Sequence, residues 1–206
     1  MRKVRSIGDL NTMGMPKDII LIPDFVRKEE IELLLRRMDE ADSLAGKFTT
    51  YPYTLSGEVK DGIVANYTLE LAEGYGFARD VKGVLLDIFG RWLDIANESF
   101  SFPVLQGQFK VFFMGLRLSP EGTGPTGFHK DGWGRADSII ALSNASSYEG
   151  GVVSLRLAEQ VIFESRLNSG DLLLFDDNKY EHNRTSCSSP TNTRRRTILS
   201  MKVNPS

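Results

Sequence analysis

The sequence predicts a mainly β fold with flanking α: a double-stranded β-helix, or jelly roll, with N-terminal helices packed on its major sheet. Three observations carry this. From Gln106 onward, short apolar runs recur at close spacing between Gly, Pro, Asn and Ser turn signals. Before that point the clearest periodic stretches are helical. The chain's two histidines, His129 and His182, stand near the two ends of one stretch running from Thr126 to His182, where a metal held inside a β sandwich would draw ligands from distant strands. A chain of 206 residues reads as one domain, with a helix-and-strand layer over 1–105 and a jelly-roll core over 106–206.

Residues 1–17 read as a weakly structured leader, with Gly14 and Pro16 as breakers. The basic start MRKVR is not followed by an apolar segment, so no signal peptide is expected. Asp18 to Ile22 is a short β-branched run stopped by Pro23, which suits an edge strand. From Arg27 to Glu40, Ile31, Leu34, Leu35 and Met38 recur at helical spacing. Residues 43–80 are rich in Gly, Tyr, Thr and Ser and suit either strands or an ordered loop. Tyr51, Tyr53, Tyr67 and Tyr75 there cover a half-buried sheet face, or one of them lines a substrate pocket. Val81 to Ala96 is the clearest helix, its stripe running through Val81, Val84, Leu85, Ile88, Phe89, Trp92, Leu93 and Ile95.

Past Gln106 the period becomes strand-like. Phe109 to Met114 and Leu116 to Leu118 are strand material interrupted by Gly115, and Ser119 to Gly127 forms a loop that delivers His129. Ser138 to Leu142, Val152 to Leu157, Val161 to Phe163, Leu172 to Phe175 and Thr197 to Val203 follow as strands, with a turn over Asn144 to Gly151.

Composition narrows the function classes. Apolar residues make up 41% and charged residues 25%, the balance of a soluble globular protein. A formal net charge of −2 offers no general attraction for nucleic acid or anionic membrane, and only Arg194 to Arg196 form a basic run. No apolar run approaches membrane-spanning length. Cys187 is the single cysteine, which excludes an internal disulfide and fits a reducing cytoplasm.

The chemistry concentrates in Thr126-Gly127-Phe128-His129-Lys130-Asp131-Gly132-Trp133 and in Leu172-Leu173-Leu174-Phe175-Asp176-Asp177-Asn178-Lys179-Tyr180-Glu181-His182. On a strand or strand end, residues i and i+2 point to one side, so His129 and Asp131 can converge on a point. His182 is the natural third ligand, because no other histidine exists. Two imidazoles and a carboxylate on one face of an ion leave the opposite positions open, the arrangement of non-heme Fe(II) oxygenases. A closed structural zinc site needs four ligands rich in Cys and His, which two His and one Cys do not supply. A rival remains, a jelly-roll binding protein whose metal is structural or absent.

At these residues the chain resembles the Fe(II)/2-oxoglutarate-dependent dioxygenases, and within them the bacterial free-amino-acid hydroxylases similar to L-isoleucine 4-hydroxylase. The resemblance rests on GFHKDGW, on Gly150-Gly151, on LLLFDDNKYEH and on RRRTILSMKV, and covers about Phe109 to Val203. Such families often carry Pro-Glu-Gly directly before the first histidine, whereas Pro120-Glu121-Gly122 lies further upstream here. The resemblance implies a cupin-like jelly roll, Fe(II) held by His129, Asp131 and His182, 2-oxoglutarate as cosubstrate and O2 as oxidant. It implies hydroxylation of a free amino acid or similar small molecule, with release of succinate and CO2; the alternative is the same chemistry on another biosynthetic small molecule or a peptide. Related halogenases replace the carboxylate ligand with a small residue, and this chain keeps Asp131; desaturation, ring closure and epimerisation share the same ligands.

An arginine on the last strand would hold the far carboxylate of 2-oxoglutarate, for which a planar guanidinium fork is suited. Alignment with the family ending favours Arg196. The apolar parity of Thr197, Leu199, Met201 and Val203 sets Arg195 on their face, so both stay open. Arg117 pairs with a substrate carboxylate or is a surface arginine of an edge strand. Phe128 and Trp133 flank the ligands and form either an apolar wall or core packing. Asp176 and Asp177 read first as turn residues and second as groups that orient His182.

Overall fold

A computed structural model describes the backbone of residues 16–45, 50–51, 54–55, 58–59, 64–69, 79–100, 109–117, 125–132, 136–189 and 195–203, with side chains over 16–36, 83–100, 125–132 and 136–189. In chain order the elements are β1 (Ile19–Ile22), α1 (Lys28–Ala45), β2 (Thr50–Tyr51), β3 (Thr54–Leu55), β4 (Glu58–Val59), β5 (Val64–Leu69), α2 (Arg79–Ser99) and β6 (Phe109–Arg117). There follow β7 (Ala136–Ala141), β8 (Glu149–Gly150), β9 (Val153–Leu157), β10 (Gln160–Ser165), β11 (Leu172–Asp176), β12 (Glu181–Arg184), β13 (Cys187–Ser188) and β14 (Arg195–Val203). The major sheet runs β1-β11-β7-β14-β6-β5-β2, and a minor sheet runs β10-β9-β12. Every pairing in both sheets is antiparallel. This is the expected mainly β architecture with flanking α and a jelly-roll core.

Two apolar layers hold it together, and β11 serves both. Its run Leu172 to Phe175 is fully buried, with Leu172 and Leu174 facing the helices and Leu173 and Phe175 facing the minor sheet. A strand buried on both faces loses the polar alternation, which explains its continuous apolar reading. The helix-side layer joins Leu34 of α1 and Leu85, Ile88 and Trp92 of α2 to Ile20, Ile140, Leu172 and Leu174. The inner layer packs Ile19, Ala141, Leu173 and Phe175 against Val153, Leu155 and Phe163. Each fully buried side chain of this size contributes about 1.5–3 kcal/mol. Glu30 links the helices: its Oε2 accepts from the Arg27 N–H at 2.8 Å, capping α1, and from Arg91 of α2 at 2.8 Å.

Several elements differ from the sequence expectation. β6 runs through Gly115 without a break, because Gly115 pairs with Ala65 on one side and Thr197 on the other. β14 starts at Arg195, two residues before the expected Thr197, so both candidate arginines lie on the last strand, as the sequence reading required. His182 sits inside a strand, β12, although Glu-His-Asn-Arg has no apolar alternation; the free edge of β9 supplies its ladder. The turn over 144–151 contains a 3-10 turn at Ala145–Ser147 and the short strand β8. Of the tyrosines in 43–80, Tyr51 and Tyr67 lie on β2 and β5, while Tyr53 and Tyr75 fall outside the described residues, as do most of the leader and Trp133. No helix among the described residues is long and apolar enough to cross a membrane.

Candidate metal centre

The two histidines meet as direct backbone partners. The His129 N–H donates to the His182 carbonyl at 3.0 Å, and the His182 N–H donates to the His129 carbonyl at 2.9 Å, an isolated antiparallel bridge. Such a hydrogen-bonded pair brings two side chains to one side of the ladder, and the rings stand 4.3 Å apart, centroid to centroid. Residues before His129 and after His182 extend the contact: the Thr126 N–H donates to the Arg184 carbonyl and the Arg184 N–H to Thr126 Oγ1. The loop carrying His129 is thus zipped to the strand carrying His182.

Asp131 completes the constellation. Its Oδ1 lies 3.4 Å from His129 Nε2 and its Oδ2 lies 3.7 Å from His182 Nε2. One ligand atom from each residue falls within 4.8 Å of the other two. Adjacent donors on an ion at about 2.1 Å stand about 3 Å apart, so the two Asp131 contacts are near binding distance. The ring of His129 is held by the Gly127 carbonyl, 2.9 Å from Nδ1. A carbonyl only accepts, so in the neutral ring this contact puts the proton on that nitrogen and leaves Nε2 as the lone pair. The side chains of His129 and Asp131 are about one-third exposed, whereas that of His182 is 12% exposed against Phe175, whose ring lies 5.5 Å away. The donor set is open on one side and walled on the other, which fits a metal with free positions for small ligands.

Asp177, expected first as a turn residue, takes another role in the structure. Asp176 is the turn residue, its Oδ1 accepting from the Asn178 N–H at 3.0 Å. Asp177 points inward, 1% exposed. Its carboxylate accepts from the Asp131 N–H at 3.2 Å and from the Gly132 N–H at 2.9 Å, and Oδ1 lies 3.7 Å from His182 Nδ1. Burial pushes this carboxyl up, but the His182 side chain and the two amides outweigh it and hold it below the usual carboxylate range. Gly132 has φ +67°, a left-handed conformation that glycine adopts without strain. A second acidic side chain, Asp137, is 3% exposed and lies in the same neighbourhood of His182.

The remaining expected site residues divide by face. Phe128 lies beneath Arg156, whose guanidinium carbon is 4.4 Å from the ring centroid. Arg156 donates to Glu181 at 2.6 Å and to Glu159 at 2.8 Å, and it holds the Glu181 carboxyl below its usual range. In register Arg156 opposes Glu181, while Leu155, which belongs to the inner layer, opposes His182. Strand alternation therefore sets Arg156 and the stacked Phe128 on the outer face of the minor sheet. On β14, Ile198 and Ser200 pair with Ala141 and Ile139, residues of the inner layer. Arg196 is in step with them and opposes Leu116. Arg195 opposes Arg117, in the row of Leu199 and of helix-facing Ile140. Arg156 and Glu181 carried no sequence signal, because a charged residue on an alternating strand reads as an ordinary solvent face.

No family model and no curated protein matches the sequence. Solved structures do match. A Pseudomonas putida prolyl-4-hydroxylase superposes with a TM-score of 0.66 at 17% identity, covering 97% of this chain and 97% of that one. A 2OG-Fe(II) oxygenase family oxidoreductase from Burkholderia pseudomallei gives 0.59 at 14%, covering 91% and 85%. The fold is that of the 2-oxoglutarate/Fe(II) oxygenases. A Trichoplax adhaerens prolyl hydroxylase, solved with a hypoxia inducible factor oxygen degradation domain peptide fragment, shares this oxygenase fold with a TM-score of 0.63 at 14%, covering 96% and 86%.

Proposed function

We propose that this chain is an Fe(II)- and 2-oxoglutarate-dependent dioxygenase that hydroxylates an aliphatic C–H bond of a free L-amino acid or similar small molecule. The observation that carries the reading is the donor set of His129, Asp131 and His182, open on one side, in this fold. His129, Asp131 and His182 would hold the ion. Fe(II), bound with 2-oxoglutarate and O2, supplies the oxidation in which one oxygen atom enters the substrate and the other enters succinate, with loss of CO2. The protein's share is positioning and exclusion of water. The histidine bridge fixes the separation of two ligands, and Phe175 with Leu173 and Leu155 keeps the inner side of the site dry.

Arg196 is the proposed partner of the far carboxylate of 2-oxoglutarate, supported by a register in step with the inner layer. Arg195 is the alternative, and the register lends it no such support. Arg117 as the partner of the substrate carboxylate is likewise unsupported, because it shares the row of Arg195. Phe128 contributes as the platform of Arg156 beside the ligands, and Trp133 follows the metal-binding turn as a candidate substrate wall. A cytoplasmic setting is supported by the single, buried Cys187.

A second reading is favoured by two of the structural neighbours: the same chemistry on a prolyl residue of a peptide. The experiment that separates the two measures succinate from 2-oxoglutarate with Fe(II) and ascorbate under air, across free L-amino acids and short prolyl peptides. The proposal expects one free amino acid to stimulate turnover and to gain one oxygen atom by mass spectrometry. Stimulation by peptides alone would replace the first reading with the second.

A further inference from the structure

We infer that Asp177 is the positioning residue of this site. It holds the turn bearing Asp131 and sets the His182 ring so that Nε2 faces the metal. The inference rests on the metal-centre reading above and adds to it a residue that does not itself bind the ion but touches two of the residues that would.

Each histidine needs one ring nitrogen left without a proton. A neutral imidazole binds a metal through the nitrogen that lacks a proton, so an acceptor at the other nitrogen decides which one is free. His129 obtains this from the Gly127 carbonyl, 2.9 Å from its Nδ1. His182 has no backbone carbonyl in that role: its Nδ1 is buried without a hydrogen-bond partner among the described residues. The group beside it is Asp177, with Oδ1 at 3.7 Å. That spacing is longer than a hydrogen bond, and a small rotation of either side chain closes it. An ion drawing on Nε2 favours that closure, because a proton on Nδ1 then gains a carboxylate acceptor.

The same carboxylate grips the other ligand segment. Oδ1 accepts from the Asp131 N–H and Oδ2 from the Gly132 N–H. One buried side chain, placed by the turn after β11, therefore spans both halves of the donor set: the loop of His129 and Asp131, and the strand of His182. A residue needed only for the turn would resemble Asp176, which caps the Asn178 N–H from a less buried position. Asp177 instead gives its oxygens to the metal-binding turn some 45 residues away in sequence. Asp137, buried beside the same ring, is the competing acceptor.

The test uses nitrogen-15 NMR of the metal-free protein, which is simple with only two histidines in the chain; His129→Asn assigns the remaining ring. The expected wild-type result is His182 with its proton on Nδ1. Asp177→Asn keeps the shape but cannot accept on both oxygens, and it is expected to shift His182 toward the Nε2–H form and weaken Co(II) binding by roughly 10–100-fold. Asp177→Glu is expected to recover part of both. Unchanged tautomer and unchanged Co(II) affinity in a folded Asp177→Asn protein would reduce Asp177 to a turn residue, and a shift seen instead in Asp137→Asn would assign the role to Asp137. If Asp177→Asn fails to fold, an Nε2–H tautomer in the wild type alone overturns the inference. A wild type that binds no Co(II) sinks the metal centre itself, while the tautomer measurement still decides whether Asp177 orients the ring.

Discussion

Asp131 is the residue on which the site turns, because it alone supplies negative charge to the proposed ion while bridging both histidines at 3.4 and 3.7 Å. Asp131→Ala should leave the fold intact, since its backbone hydrogen bond to Asp177 does not need the side chain. It should weaken Co(II) binding by more than about 100-fold, beyond the range of a residue outside the coordination shell; isothermal titration checks this. Arg196→Ala should raise the KM for 2-oxoglutarate by about 10–150-fold, the loss of one charged hydrogen-bonded contact, and Arg195→Ala by little. Equal effects of the two would contradict the register argument. The three ligand candidates were legible in the sequence because two histidines leave no choice. Asp177 was not, because its inward orientation is set by amides of a loop that no local pattern announces.

The elements that position the site depend on a few special contacts. Gly150 and Gly151 were read as a family motif, and a physical reason emerges at Gly150. With φ +69°, it approaches the Ser186 carbonyl so closely that an added Cβ would lie 1.9 Å from that oxygen. Gly150 pairs with Cys187 and anchors the chain just past β12. Gly150→Ala should therefore destabilise by at least the roughly 1–3 kcal/mol of the backbone conformation, read as a lower Tm. At the other edge, Asp18 accepts from Lys179 at 2.6 Å and from the Tyr180 hydroxyl at 2.7 Å, tying the entry of β1 to the turn before His182. Burial raises the Asp18 carboxyl, but Lys179 and Tyr180 prevail and hold it below its ordinary value of 3.8. A depressed carboxylate contributes stability that is present above that value and lost as the pH falls below it. Asp18→Asn should flatten this acid dependence in urea titrations. Its cost at neutral pH should be under about 1 kcal/mol, because Lys179 is 42% exposed. Helices and buried strands were legible from period and apolar runs. β12 was missed because its four residues are all half-buried and polar, so the neighbouring strand, not its own pattern, makes it extended.

At the scale of the whole molecule, the seven-stranded and three-stranded sheets form a sandwich whose inner layer ends at the histidine bridge. Many short strands at close spacing announced such a sandwich. The order β1-β11-β7-β14-β6 did not follow from local pattern, since pairings such as β1 with β11 join residues some 150 apart in sequence. Because the proposed ligands come from segments that meet only in the folded chain, an ion at about 100 times its Kd should stabilise the protein by about 2.7 kcal/mol. That raises Tm by roughly 5–10 °C for a chain of this size, and a chelator should reverse it. Succinate release from 2-oxoglutarate by purified protein with Fe(II) under air, beside Asp131→Ala, decides whether the His129–Asp131–His182 site is an oxygenase centre. The wild type should release succinate in an Fe(II)-dependent way, and Asp131→Ala should release none. No succinate with any amino acid or peptide, from a folded wild type that binds neither Co(II) nor 2-oxoglutarate, would contradict the oxygenase reading and leave a jelly-roll binding protein.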